Sequence, residues 1–151
     1  PPLRSQRRAL YLPESYAQAM EDGTTLLVCT AISGGSLREH LLETARACGG
    51  AQRLALDVQR LRMDFTLPAR SGEGCPLSAE ELHRSMEGRS VFFSPELCAR
   101  YFTYTQHQTL HFVLFDDADT IAQKLRLGQE LGVSAAFLMW PEVRDIAADL
   151  P

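Results

Sequence analysis

The sequence predicts an α/β fold, about half of a TIM-type (β/α) barrel with parallel strands and a small antiparallel insertion. Three observations predict it. Between residues 101 and 143 an extended stretch ends in His111-Phe112-Val113-Leu114-Phe115 and runs into a helical pattern with Ile121, Leu125 and Leu131 apolar. Gly132 stops that helix, and an apolar strand at 135–140 follows, closed by Pro141. Strand, helix, strand is a βαβ crossover, which belongs to parallel sheets covered by helices. Next, residues 24–32 (TTLLVCTAI) are β-branched and apolar without polar alternation, as in a strand buried on both faces. Finally, four βα units fit into 151 residues, whereas a complete barrel takes ~250 and at least ~200.

The elements follow in order. Residues 9–13 read as a short strand and 15–21 as a short helix closed by Asp22-Gly23. After the strand at 24–32, Ser33-Gly34-Gly35 is a turn. Ser36 and Glu39 form an S-x-x-E capping box, in which hydroxyl and carboxylate each satisfy a free N–H at a helix start. Leu37, Leu41, Leu42 and Ala45 share one face of that helix, and Gly49-Gly50 ends it. Residues 53–65 are extended, 66–76 a loop rich in Gly and Pro. Ser78 and Glu81 open a second boxed helix that ends near Gly88. The aromatic and β-forming residues of 90–115 read as the antiparallel insertion followed by the next barrel-type strand, and 143–150 as a terminal helix. No repeat, low-complexity segment or linker divides the chain, so 1–151 is read as a single domain.

Composition narrows the function. A 45% hydrophobic chain of this length can bury a real core. A net charge of −4 argues against nucleic acid or anionic membrane as a general partner. No apolar run reaches the roughly 18–20 residues of a membrane span. The start, Pro-Pro without Met, reads as a trimmed or processed end, which leaves cytoplasmic and cell-envelope locations both open. Cys29, Cys48, Cys75 and Cys98 form no C-x-x-C pair and read first as reduced thiols, with a disulfide of undetermined pairing as the alternative and with no metal site and no cofactor expected. The Ser33-Gly34-Gly35-Ser36 turn precedes a helix but lacks the lysine of a phosphate-binding loop.

Several residues stand in a familiar order. Asp64-Phe65-Thr66-Leu67-Pro68 is followed, after a variable segment, by His111, Val113, Phe115, Asp117, Thr120 and Lys124, then by Leu131-Gly132-Val133 and Trp140. Over roughly residues 50–143 this resembles the C-terminal half of glycoside hydrolase family 18, in its spore-cortex and peptidoglycan-active branch. There the corresponding motifs are D-W-T-L-P, H-x-V-W-F-x-D-x-x-S-x-x-x-K and a last strand ending in Trp. The departures matter equally. The family's catalytic signature, D-x-x-D-x-D-x-E, is absent. Its Y-G-Y-D is Leu61-Arg62-Met63-Asp64 here, and Leu114 stands for the Trp of V-W-F. Without the final Glu, no group protonates a glycosidic leaving group.

The resemblance implies a degenerate, non-catalytic domain that binds an N-acetylglucosamine-containing glycan or serves assembly. One alternative is the C-terminal half of an active, chitinase-like N-acetylglucosaminidase whose catalytic strands lie upstream. The other is a structural sporulation or cell-envelope module. Four residues are candidate sugar contacts: Asp64, Asp116, Trp140 and Glu142. Trp140 is a stacking platform or a rim aromatic plugging the half-barrel. Asp64 bonds a hydroxyl or caps its loop. Asp116 and Asp117 are read first as N-cap and helix-dipole partners. Asp64, Asp116 and Trp140 are expected at the C-terminal rim, with Glu142 beside them. The strands near 24–32, 54–63, 112–115 and 135–140 are expected as parallel neighbours in that order. A free half-barrel exposes two edges and an apolar inner face, so a homodimer, another segment or the insertion is expected to cover them.

Overall fold

The computed structural model describes residues 9–68 and 73–151. Two sheets carry the architecture. The first is parallel and contains β1 (Leu10–Pro13), β2 (Thr24–Cys29), β3 (Leu54–Val58) and β9 (Ala136–Leu138), in that spatial order. The second is antiparallel, with β5 (Cys75–Pro76), β4 (Arg62–Leu67), β8 (Thr109–Phe115), β7 (Ala99–Gln106) and β6 (Phe92–Ser94) side by side. The fold is thus a half-barrel with an antiparallel insertion, and the parallel sheet is open.

Three helices of some length support these sheets. Helix α1 (Leu37–Cys48) starts where Ser36 Oγ accepts the Glu39 N–H at 3.3 Å, and ends at Gly49, whose φ of 97° suits a residue without Cβ. Helix α2 (Ala79–Met86) carries both arms of its box: Ser78 Oγ accepts from Glu81, and the Glu81 carboxylate accepts the Ser78 N–H at 2.7 Å. Helix α3 (Ala118–Leu131) is boxed by Asp117 and Thr120. A short helix, α4 (Trp140–Val143), follows β9.

Helices α1 and α3 lie on one side of the parallel sheet. Leu37, Leu41 and Ile121 pack there with Leu26, Val28, Leu54, Leu56 and Val58, and Leu125 closes the margin. The alternate residues Tyr11, Thr25, Leu27, Ala55, Asp57 and Phe137 therefore face away from the helices. On that face the rings of Tyr11 and Phe137 meet, with centroids 5.0 Å apart. Their strands are separated by two others, so a flat sheet would hold them roughly 14 Å apart. The sheet is curled and this face is concave.

The expected strand order needs one correction. The segment 112–115 is not in the parallel sheet; its place beside β3 is taken by β9. The reason is a two-residue turn. His107 and Gln108 have φ of 50° and 62°, which joins β7 to β8 as a tight hairpin. Since β8 pairs β4 on its other side, both of its edges are used. The extended run read at 53–65 also divides, at residues 59–61, between β3 and β4. The terminal helix read at 143–150 is instead α4 followed by a single 3-10 turn at Ala147–Asp149.

Candidate functional site

Loops leaving a parallel sheet converge at the C-terminal ends of its strands, and ligand sites of such folds sit there. A cavity of about 360 Å³ lies at that end. Ala31 lines it from beyond β2, Gln59, Arg60 and Leu61 from beyond β3, Arg62 and Met63 from β4, Pro76 and Leu77 from β5 and the connection to α2, and Glu142 from α4.

Arg60 builds one wall. Its guanidinium donates to the Glu142 carbonyl at 2.9 Å and to both Asp145 oxygens at 2.8 and 3.0 Å. Its backbone N–H donates to Glu142 Oε2 at 3.3 Å. The arginine therefore fixes α4 against the end of β3. Its hydrogen bond also holds the Asp145 carboxyl below the usual carboxylate range. Asp57, the last inward residue of β3, accepts from Gln59 Nε2 at 2.9 Å.

Of the four predicted contacts, Glu142 lines the cavity. Asp116 lies beneath it, fully buried and spent on protein: Lys124 Nζ donates to its two oxygens at 2.8 and 2.7 Å, Thr120 Oγ1 to Oδ1 at 2.7 Å, and the Leu61 N–H to Oδ2 at 3.0 Å. Asp117, not Asp116, caps α3. Trp140 opens α4 at the end of β9, 65% exposed and two residues from Glu142.

Asp64 has different surroundings. It accepts the Tyr104 O–H at 2.6 Å and faces His111 Nδ1 at 2.9 Å. A carboxylate acceptor assigns the proton to that nitrogen. The Tyr104 and His111 rings stack at 4.5 Å, and the Arg89 guanidinium lies 4.7 Å above Tyr104. Burial and the bond to Asp64 push the Tyr104 phenol up to about 12. Asp64 thus has surroundings of its own, while Asp116 and Glu142 both bond the Arg60–Leu61 segment and the four residues do not form one cluster.

Two further features of this end of the fold are not evident as site elements in the sequence. Arg60 gave no local signal, because its partners stand more than fifty residues away. The second feature is an aromatic row across the antiparallel sheet: Phe92 on Tyr101 at 5.6 Å and Tyr101 on Phe112 at 5.2 Å. Tyr101 and Phe112 pack on the same apolar cluster as Ala31 and Met63, which line the cavity. The density of aromatic and β-forming residues over 90–115 was the available signal. The Gly-rich turn adjoins a small pocket lined by Glu39 and Glu43, whose charge opposes phosphate. Among the described residues no three His, Cys, Asp or Glu side chains converge to hold a metal ion, and no helix is long and apolar enough to cross a membrane.

The fold has known counterparts. The Bacillus megaterium QM B1551 spore cortex-lytic enzyme SleL matches 97% of this chain with a TM-score of 0.66 and 18% identity, and this chain covers 42% of it. The Bacillus cereus spore cortex-lytic enzyme SleL matches 83% at a TM-score of 0.58 and 18% identity, with 34% of that chain covered. YdhD of Bacillus subtilis, designated a sporulation-specific glycosylase, matches 89% at 0.61 and 15%, with 54% covered. The chain thus spans about half or less of the length of these proteins. At such identities the likeness is one of fold. The sequence matches no protein-family model and no curated protein sequence.

Proposed function

We propose that this chain is a glycan-binding module on a glycoside hydrolase family 18-like half-barrel, with an N-acetylglucosamine-containing polymer as ligand and no hydrolysis of its own. One observation supports the non-catalytic part: each of the acidic side chains Asp57, Asp64, Asp116 and Glu142 already accepts a hydrogen bond within the protein. Asp116 neutralises a buried lysine, Asp64 holds Tyr104 and His111, and Asp57 accepts from Gln59. Glu142 orders the backbone of Arg60. Glycoside hydrolysis needs a carboxylic acid free to protonate the leaving oxygen, and the chain carries no D-x-x-D-x-D-x-E segment to supply one.

Binding asks for less. Flat aromatic faces and a few polar groups suffice for a ligand pocket. Trp140 offers an exposed ring at the end of β9, and Arg62, Gln59 and the second carboxylate oxygen of Glu142 offer donors and acceptors for hydroxyl and acetamido groups. The fold shared with the spore cortex-lytic enzymes SleL supports a glycan as the ligand class. The test uses purified protein with chromogenic N-acetylglucosaminides and with insoluble chitin and peptidoglycan. Retention on one of the polymers without turnover is expected, reduced at least about tenfold in Trp140→Ala, the loss of ~1.4 kcal/mol. Turnover above background, or no retention on either polymer, refutes the reading.

A further inference from the structure

We propose that Arg60 is a positioning residue of the rim: by locking α4 to the end of β3 it sets where the Trp140 ring stands, and through that ring it sets the affinity for glycan. The proposal rests on the glycan-binding reading and concerns how that site is held. It begins with register. β3 and β9 pair in parallel as far as Val58 and Leu138. Two residues beyond that pair the chain carries Arg60 and Trp140, so both stand just past the C-terminal ends of neighbouring strands.

Helix α4 cannot place the ring unaided. It has four residues, its N-cap Met139 makes no side-chain hydrogen bond, and Pro141 falls in its first turn. A single turn fixes many dihedrals for few hydrogen bonds, so its position comes from tertiary contacts. Val143 supplies one, buried in the core with the parallel strands. Arg60 supplies the others. Its Nη1 donates to the Glu142 carbonyl and to the Asp145 carboxylate, and its backbone N–H to Glu142 Oε2. Its Nε reaches the Asp116 carbonyl at a long 3.5 Å, which ties the clamp to the buried Asp116–Lys124 pair. The Arg60 side chain is 14% exposed against 61% for Asp145, so the guanidinium is the fixed member. Its planar fork serves acceptors in several directions at once, which an ammonium on a flexible stem does less well.

Trp140 has no comparable support. Among the described residues its ring meets no other ring and no cation, and it is 65% exposed. The direction of the ring therefore follows the α4 backbone. Glu142, where two of the clamp's bonds end, lies two residues along, about 3 Å of helix rise. A binding group displaced by more than roughly 0.5 Å or turned by more than about 10–20° loses its fit, so freeing α4 is enough to weaken binding.

Two variants separate positioning from direct contact. Arg60→Met removes the fork from a residue that lines the cavity, whereas Asp145→Ala removes its acceptor from outside that lining. Asp145 is exposed, so its variant serves even where Arg60→Met fails to fold. Trp140 is the single tryptophan, and its fluorescence anisotropy reads the clamp without ligand. In both variants, with the circular dichroism spectrum kept, anisotropy is expected to fall and affinity for N-acetylglucosamine oligomers to drop at least about fivefold. Unchanged anisotropy in Asp145→Ala overturns the clamp. Lower anisotropy with wild-type affinity overturns its role in binding. Affinity lost in Arg60→Met alone means that Arg60 meets the sugar directly, which also overturns the proposal. Wild-type protein that binds no oligomer refutes the glycan reading, and the anisotropy then decides the clamp by itself.

Discussion

Asp116 joins the two sheets. It stands at the end of β8, receives the Leu61 N–H at the start of β4, and neutralises Lys124 of α3, with both charged side chains wholly buried. Removing one partner of such a pair strands a charge in the core at a cost of about 3–5 kcal/mol. Asp116→Asn is therefore expected to lose that much in urea denaturation. Adding Lys124→Met should recover more than about 1 kcal/mol, since the stranded ammonium is gone. An additive double mutant would contradict the coupling. The sequence showed Asp116 as one of two acids at a helix start, where capping is the ordinary role. Only Asp117 has that role, because Asp116 belongs to the strand and its carboxylate points into the core. The choice depended on Lys124, two helical turns on, and no local rule pairs those positions. Tyr104 supplies a second expectation. Burial and the bond to Asp64 raise its folded pKa from 10.0 to about 12, so the stability contributed by the protonated phenol is full below pH 10 and is lost as pH rises toward 12. The stability difference between wild type and Tyr104→Phe should be constant up to pH 10 and shrink above it; a difference independent of pH through 12 would refute this.

Among the elements, the parallel strands were legible and the insertion only in part. β2 and β3 announced themselves as apolar runs, and Gly49 and Gly132 marked their helix ends as left-handed caps do. β8 looked equally like a barrel strand, since Val113, Leu114 and Phe115 are all buried. Its antiparallel partnership is decided by the turn before it. His107-Gln108 adopts positive φ at both positions without the Asn-Gly pair that normally signals such a hairpin. The strain is removable: His107→Asn with Gln108→Gly should stabilise the protein by about 0.5–2 kcal/mol. A lower urea midpoint in that double variant would show that the turn is held by contacts of the two side chains.

At the scale of the whole molecule the half-barrel was readable from strand count and chain length, since neither depends on long-range contacts. The site was less so. Trp140 and Glu142 fall at the rim because β9 ends there and Pro141 turns the chain into α4. Asp64 was placed by motif order, yet it alternates toward the face of β4 that carries Tyr104 and His111. The aromatic row Phe92, Tyr101 and Phe112 comes from three strands, so its formation required the register of the antiparallel sheet. Glycan binding at this rim can be measured directly, because Trp140 is the single tryptophan and is exposed at the end of β9. Titration with N-acetylglucosamine oligomers should shift its emission to shorter wavelength, saturably, and shield it from acrylamide quenching. An emission spectrum and quenching constant unchanged up to millimolar oligomer would contradict a glycan site at the C-terminal rim.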